Sequence, residues 1–200
     1  METFLKVYLP TFLVAYLLIT FVIPSVRVYK KTGINPITFG KSGNAHDYIG
    51  VIMKALTGLL IVVVLLFSVT ETVYQFLSPI SFLEKEWLKY MGLIMIHTSL
   101  IWIVVAQNQM QQSWRIGIDS NHKTLLVTTG VFGMCRNPVF LGMIISTAGI
   151  FLIIPNAISF FIACTSYIII QIQIRLEEEH LQKVHGTDYM KYKQKVKRLI

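Results

Sequence analysis

Two stretches of this 200-residue chain carry side chains that can do chemistry, and each adjoins a long apolar run. The first, residues 125–140, reads LLVTTGVFGMCRNPVF and combines two glycines, an Arg-Asn-Pro triplet and two aromatic rings. The second, residues 175–179, reads RLEEE and directly follows an apolar run. Irregular backbone at membrane depth survives only where protein or a water-filled cavity covers it. The sequence therefore predicts a binding pocket whose floor is residues 125–140.

The charged stretch 175–179 offers carboxylates at the end of a helix. There, Arg175 can pair with Glu178 or Glu179, which follow it by three and four residues. Glu177 lies on a different face and shares it with Gln173, so its carboxylate can face the pocket and attract a cation. Charges at the end of a span are tolerated in pairs and costly alone. Two interpretations therefore stay open, an interfacial cluster of ion pairs and a site that contains Glu177.

The composition indicates an integral membrane protein. Hydrophobic residues make up 54% of the chain and charged residues only 14%, which is too apolar for a soluble domain. The apolar runs predict about five spans, and the last two, separated by Pro155-Asn156, read as a helical hairpin. The expected fold is all-α, with a cytosolic cofactor-binding loop and an amphipathic C-terminal helix. The runs cover residues 4–23, 48–69, 88–106, 139–154 and 157–174.

The basic residues predict an orientation in the membrane. The net charge is +8, and Lys and Arg concentrate in the loop after the first span, in the loop that carries residues 125–140 and in the C-terminal tail. The positive-inside rule puts these three segments in the cytoplasm and the N-terminus outside. A basic face of this kind suits anionic lipid, and we expect no nucleic-acid partner. The two cysteines form neither a metal-ligand pair nor a redox CxxC, so no metal site is expected.

The chain reads as one membrane domain over residues 1–200. Residues 1–112 hold the first three spans, and residues 113–200 hold the predicted catalytic core. His97 lies midway along the third run, where a hydrogen bond within the bundle is the favoured interpretation. Pro24 is expected to end the first span, Trp114 to anchor the chain at the membrane interface, and Gly186 to break the last helix.

The order of the motifs resembles the isoprenylcysteine carboxyl methyltransferase family. The pattern LVxxGxFxxxRNPxF is followed by the hairpin and then by EExxL and HGxxYxxYxxxVxR, so the resemblance runs from residue 114 to the C-terminus. That family shares its C-terminal architecture with phospholipid N-methyltransferases. The resemblance implies a membrane methyltransferase that uses S-adenosyl-L-methionine and methylates a lipid-like acceptor within the membrane. It favours an isoprenylcysteine-type carboxylate, with a phospholipid amine as the alternative.

The resemblance also implies which residues form the site. Phe132 and Phe140 stand where the family usually has tyrosines, and Asn137 stands where it often has histidine. The family's substrate-side arginine falls at Gln173, so either Arg175 replaces it or this protein does not hold a carboxylate in that way. The implied catalytic set is Gln173, Arg175, Glu177 and Glu178. The implied cofactor-binding set is Thr124, Leu125, Leu126, Val127, Gly130, Phe132, Arg136, Asn137, Pro138, Phe140 and Glu177.

For methyl transfer from a sulfonium, the protein needs mainly to bind the methyl donor, to exclude water and to align the acceptor. A carboxylate acceptor needs no general base, whereas an amine must lose a proton, which Glu177 or Glu178 can take. Two other functions stay open. One is a transporter or lipid-binding protein without catalysis, and the other is an NADPH-dependent reductase of related architecture.

Overall fold

The computed structural model of the chain describes residues 1–39, 45–69, 71–119, 122 and 124–200, so part of the predicted loop 25–47 lies outside the described residues. Within them the fold is all-helical, as predicted. Three short 3₁₀ turns occupy Ser81–Leu83, Gln111–Ser113 and Gly130–Gly133. The α-helices in chain order are α1 (Glu2–Leu17), α2 (Ile23–Thr32), α3 (Ala45–Val69), α4 (Glu71–Gln75), α5 (Glu86–Met110), α6 (Pro138–Ile153) and α7 (Ala157–Lys195).

Within the part of the chain that the structure describes, four helical segments are long and apolar enough to cross a membrane, as expected of an integral membrane protein. They are Glu2–Thr32, Ala45–Val69, Glu86–Ser113 and Ala157–Lys195. The predicted fourth span corresponds to α6, which is apolar but has 16 residues. At about 1.5 Å per residue it reaches roughly 24 Å, less than the 30 Å thickness of a bilayer core.

The first helix runs further than the sequence predicted. Pro24 was expected to end it, but helical backbone continues to Thr32. A π-helical turn at Leu18–Val22 precedes Pro24, which then sits in the first turn of α2, where proline is tolerated. The buried Gln107 side chain of α5 donates a hydrogen bond to the Thr20 carbonyl inside this turn, at 2.6 Å. The π-helical turn is therefore stabilised by a side chain 87 residues further along the chain, and no local sequence pattern predicts this contact.

Helices α5 and α6 approach each other through small residues. A Cβ added to Gly92 would lie 2.5 Å from the carbonyl oxygen of Gly149. Further along, the hydroxyls of Ser99 and Ser146 are 2.7 Å apart. Close glycine and serine contacts of this kind are common between membrane helices. They fix the position of α6, whose first turn begins the predicted site.

His97 forms the hydrogen bonds expected of it, on the outer side of α5. Its Nδ1 donates to the Leu93 carbonyl at 2.7 Å, so its Nε2 accepts from the Tyr8 hydroxyl of α1. The ring also lies against Phe12, with centroids 5.4 Å apart. The histidine therefore joins α1 to α5 through these contacts.

Helix α7 has 39 residues and reaches about 58 Å at 1.5 Å per residue, which is longer than the roughly 30 Å core of a bilayer. Residues 157–174 are its apolar part, and Asn156 caps the start through a reciprocal pair of hydrogen bonds with Ser159, which completes the predicted hairpin with α6. From Arg175 onward the helix is charged, so we place this part outside the bilayer core. Gly186 interrupts it with a φ of 56°, as predicted.

Candidate active site

A cavity that opens to solvent lies where α7 becomes charged. Its walls come from the two predicted stretches and from the segment 114–117. Several residues of the first half of the chain complete it, among them Phe21, Phe39 and Met53. Six of the predicted cofactor-binding residues line this cavity, namely Phe132, Arg136, Asn137, Pro138, Phe140 and Glu177.

The other predicted cofactor residues lie elsewhere. Leu126 lines a second, more open cavity beside the C-terminal part of α7. Gly130 adopts a φ of 63°, a backbone conformation that favours glycine, and the Gln109 side chain lies directly against it. Thr124, Leu125 and Val127 line neither cavity, and their cofactor role stays a prediction of the resemblance.

Glu177 and Gln173 share one face of α7, and both line the first cavity. The Gln173 amide donates to Glu177 Oε1 at 2.8 Å. Burial raises the pKa of Glu177 to about 7, and the hydrogen bond from Gln173 acts in the opposite direction. Within the described residues Glu177 has no cationic partner, so its ionised form would attract a cation into the cavity.

Glu178 holds the C-terminal segment against the 135–137 loop. Its Oε1 accepts from Arg136 at 3.1 and 2.8 Å, and its Oε2 accepts from Arg198 at 3.1 and 2.9 Å. Asn137 donates to Oε1 as well, at 3.3 Å. Burial alone would raise the pKa of Glu178, but the hydrogen bonds from Arg198 and Arg136 outweigh it and lower the pKa. Both oxygens are therefore engaged within the protein.

The predicted pairing of Arg175 with Glu178 or Glu179 is wrong. Arg175 donates instead to the backbone and side chain of Gln171, one turn earlier, and it lies exposed outside the cavity. Glu179 pairs with Lys183 on the surface. Since Arg136 and Arg198 occupy Glu178 from distant parts of the chain, the local spacing did not decide the pairing.

Each of the two arginines in the cavity wall has an acidic partner within the protein. Arg136 pairs with Glu178 at 2.8 Å, and Arg115 pairs with the buried carboxylate of Asp119 at 3.0 Å. Among the described residues that line the cavity, Glu177 is thus the charged side chain without an oppositely charged partner. Arg115 was not among the predicted site residues, because nothing in its spacing distinguishes it from other loop arginines.

Trp114 was expected at the membrane interface, but it is buried in the cavity wall. Its side chain is 5% exposed, and its indole N–H has no hydrogen-bond partner within the described protein. Buried donors without partners are rare in native proteins. This one offers a hydrogen bond to a group outside the described chain.

Fold and site together define a multispan membrane protein with a ligand cavity at one end of its helices, whose mostly apolar wall carries a few charged side chains. A family model described as phospholipid methyltransferase matches residues 87–188, which is more than half of the chain. The chain therefore belongs to the phospholipid methyltransferase family, and it is a membrane methyltransferase that acts on lipids. The match spans α5, α6 and most of α7, including Arg136 and Glu177. No curated protein matches the sequence.

Proposed function

We propose that this protein transfers the methyl group of S-adenosyl-L-methionine to the amine of a membrane lipid. The observation that carries the proposal is the charge of the cavity, where Glu177 stands without a cationic partner in the described chain while Arg115 and Arg136 are paired. A sulfonium and a protonated amine both complement such a site. An acceptor carboxylate would instead compete with Asp119 or Glu178 for an arginine.

The cavity residues fit the methyl donor. Phe132 and Phe140 give aromatic and apolar contact, the Trp114 indole offers an unused N–H, and Glu177 offers negative charge for a cationic centre. Bound S-adenosyl-L-methionine would supply an electrophilic methyl group on a sulfonium. These four residues bind and orient it, in this proposal, while the surrounding wall excludes water.

Glu177 is the residue we propose for proton transfer. An amine reacts only after it loses its proton, and a base works best when its pKa is near the working pH. The raised pKa of Glu177, about 7, meets that condition. Glu178 instead fixes the loop that carries Arg136 and Asn137, since neither of its oxygens is left to accept a proton.

We propose residues 113–200 as the catalytic core of a single domain, with the N-terminus outside and the cavity facing the cytoplasm. The distribution of basic side chains supports this orientation. The first half of the chain also contributes to the site in this proposal, because Phe21, Phe39 and Met53 line the cavity.

Carboxylate methylation of an isoprenylcysteine-type acceptor is the second candidate. The motif resemblance favours it, and two arginines do line the cavity. It requires Arg115 or Arg136 to exchange its acidic partner for the substrate. Carboxyl and amine products are readily told apart, because base hydrolyses a methyl ester and leaves an N-methyl group.

The test uses purified protein in lipid nanodiscs with S-adenosyl-L-methionine labelled on the methyl group. We expect base-stable label in an aminophospholipid, reduced roughly 100-fold or more in Glu177→Gln. Glu179→Gln is the matched control, since Glu179 is exposed and pairs on the surface. Base-labile label in a prenylcysteine analogue alone would contradict the amine acceptor. Absence of donor binding in calorimetry would contradict the cofactor, and transport or NADPH binding would then be examined.

A further inference from the structure

Three hydrogen bonds in a row connect a backbone amide to Glu177. The Ile118 N–H donates to His46 Nε2 at 2.9 Å. Because Nε2 accepts, the ring is neutral and carries its proton on Nδ1, which lies 3.2 Å from Gln173 Oε1 and donates to it. The Gln173 amide nitrogen then donates to Glu177 Oε1 at 2.8 Å. Donors and acceptors match at every step, so the direction runs from the amide to the carboxylate.

This chain of bonds determines which way the Gln173 amide faces. If the amide turned over, its oxygen would meet a carboxylate oxygen, and its nitrogen would meet the N–H of His46. Gln173 is only 1% exposed, so water cannot compensate such a mismatch. His46 therefore holds the oxygen of Gln173 and leaves the nitrogen for Glu177.

The surrounding fold holds the His46 ring in place. Phe39 stacks on it, with ring centroids 4.3 Å apart. Gly117 lies against the ring as well, and a Cβ there would be 2.7 Å from Nε2. With a φ of +95°, this position favours glycine, and the close approach lets the next amide, that of Ile118, reach the ring.

We propose that His46 is a positioning residue that acts through Gln173 to orient the Glu177 carboxylate toward the cavity. The proposal rests on the proposed function only in taking Glu177 as the carboxylate of the site. Without His46, the Gln173 amide can turn, and Glu177 loses a donor that favours its ionised form. In a variant without His46, the Glu177 carboxyl group should then stay protonated up to a higher pH than in the wild type.

The experiment is an infrared titration of the Glu177 carboxyl group in purified protein without methyl donor, with Glu177→Gln identifying the band. We expect His46→Ala and Gln173→Leu each to raise the apparent pKa by about one pH unit. His46→Asn keeps a donor near the position of Nδ1 and should restore most of the wild-type value. The double variant should titrate like Gln173→Leu, because His46 acts through Gln173.

The other charged groups of this region remain present in every variant, so their effects are common to all titrations. Asp47 and His180 act on His46 electrostatically, and Arg115, Asp119 and Arg136 belong to the surrounding wall.

An unchanged pKa in His46→Ala, or additive shifts in the double variant, would overturn the proposal. If His46→Ala does not fold, Gly117→Ala replaces it, because its Cβ displaces the ring and should raise the pKa in the same direction. The titration needs no turnover, so it separates two failures. Expected shifts without methyl transfer would reject the proposed function and keep the positioning role, and methyl transfer without the shifts would do the reverse.

Discussion

Glu178→Gln should release the C-terminal segment from the 135–137 loop. The side chains of Glu178 and Arg136 are 4% and 7% exposed, so the change leaves a buried guanidinium without its counter-ion. Breaking a buried ion pair from one side costs about 3–5 kcal/mol, and Arg198, whose side chain is 34% exposed, adds little. The neutral amide keeps part of the hydrogen bonding, so we take about 3 kcal/mol. That raises the opened population roughly 100-fold.

Limited trypsin digestion measures this opening, because Lys193 and Lys197 belong to the held segment and their carbonyls accept from Arg136. When opening is fast relative to cleavage, the cleavage rate follows the opened population, so Glu178→Gln should be cut roughly 100-fold faster there. The control is Glu179→Gln, next in the chain, where a surface pair is lost and no measurable change is expected. Equal cleavage of the two variants would refute the reasoning.

The same contact has a predicted pH dependence. The folded-state pKa of Glu178 lies below its ordinary value of 4.5, so its stabilisation is present above 4.5 and is lost as pH falls through the lowered value. The Arg136 amide, which donates to the Lys197 carbonyl at 3.0 Å, reports on this by hydrogen exchange. Its protection should persist at pH 5 and decline only below 4.5. A decline that begins near pH 6 would point to another titrating group.

Glu177→Gln should raise the melting temperature at pH 8 and leave it unchanged at pH 4. The pKa of Glu177 is raised to about 7, so folding favours the protonated carboxyl group, and this stabilisation is lost as pH rises through 7. A lower melting temperature of the variant at pH 8 would argue against burial as the cause of the raised pKa. The losses of stability caused by Tyr8→Phe and His97→Leu should fall short of additivity by about 0.6 kcal/mol in thermal unfolding, because the two side chains share a hydrogen bond. Strictly additive losses would speak against that bond. Gly92→Ala should destabilise the protein by about 1–3 kcal/mol, because the added Cβ meets a backbone oxygen of α6 at 2.5 Å. The control is Gly58→Ala, which has nothing within 4 Å of its Cβ and should be neutral or slightly stabilising. Similar melting temperatures of the two variants would contradict the packing argument.

The helices were predictable where hydrophobic length alone decides them. Apolar runs located the helices and the hairpin, whose turn at Pro155-Asn156 carries a local capping signal. Pro24 was misjudged because its effect depends on the π-helical turn before it and on the side chain of Gln107, which stabilises that turn from another helix. Proline predicts a break only when no neighbouring helix compensates for it.

The convergence of Arg136, Asn137 and Glu177 on one cavity was predictable, because motif order carries that information. The ion pairs were not. Helical spacing assigned Arg175 to the acids that follow it, yet Glu178 binds Arg136 and Arg198, 42 residues before it and 20 residues after it. Pairing at i+3 or i+4 is worth only a few tenths of a kcal/mol, so buried contacts from distant segments override it.

The supporting residues of the site had no sequence signal at all. His46 meets Gln173 across 127 residues, and the contact depends on a glycine in a third segment. The cavity takes part of its wall and, in our proposal, the control of its carboxylate from the first half. In our proposal, residues 113–200 alone would keep Gln173 but lack His46, which holds the Gln173 amide in the orientation that Glu177 needs.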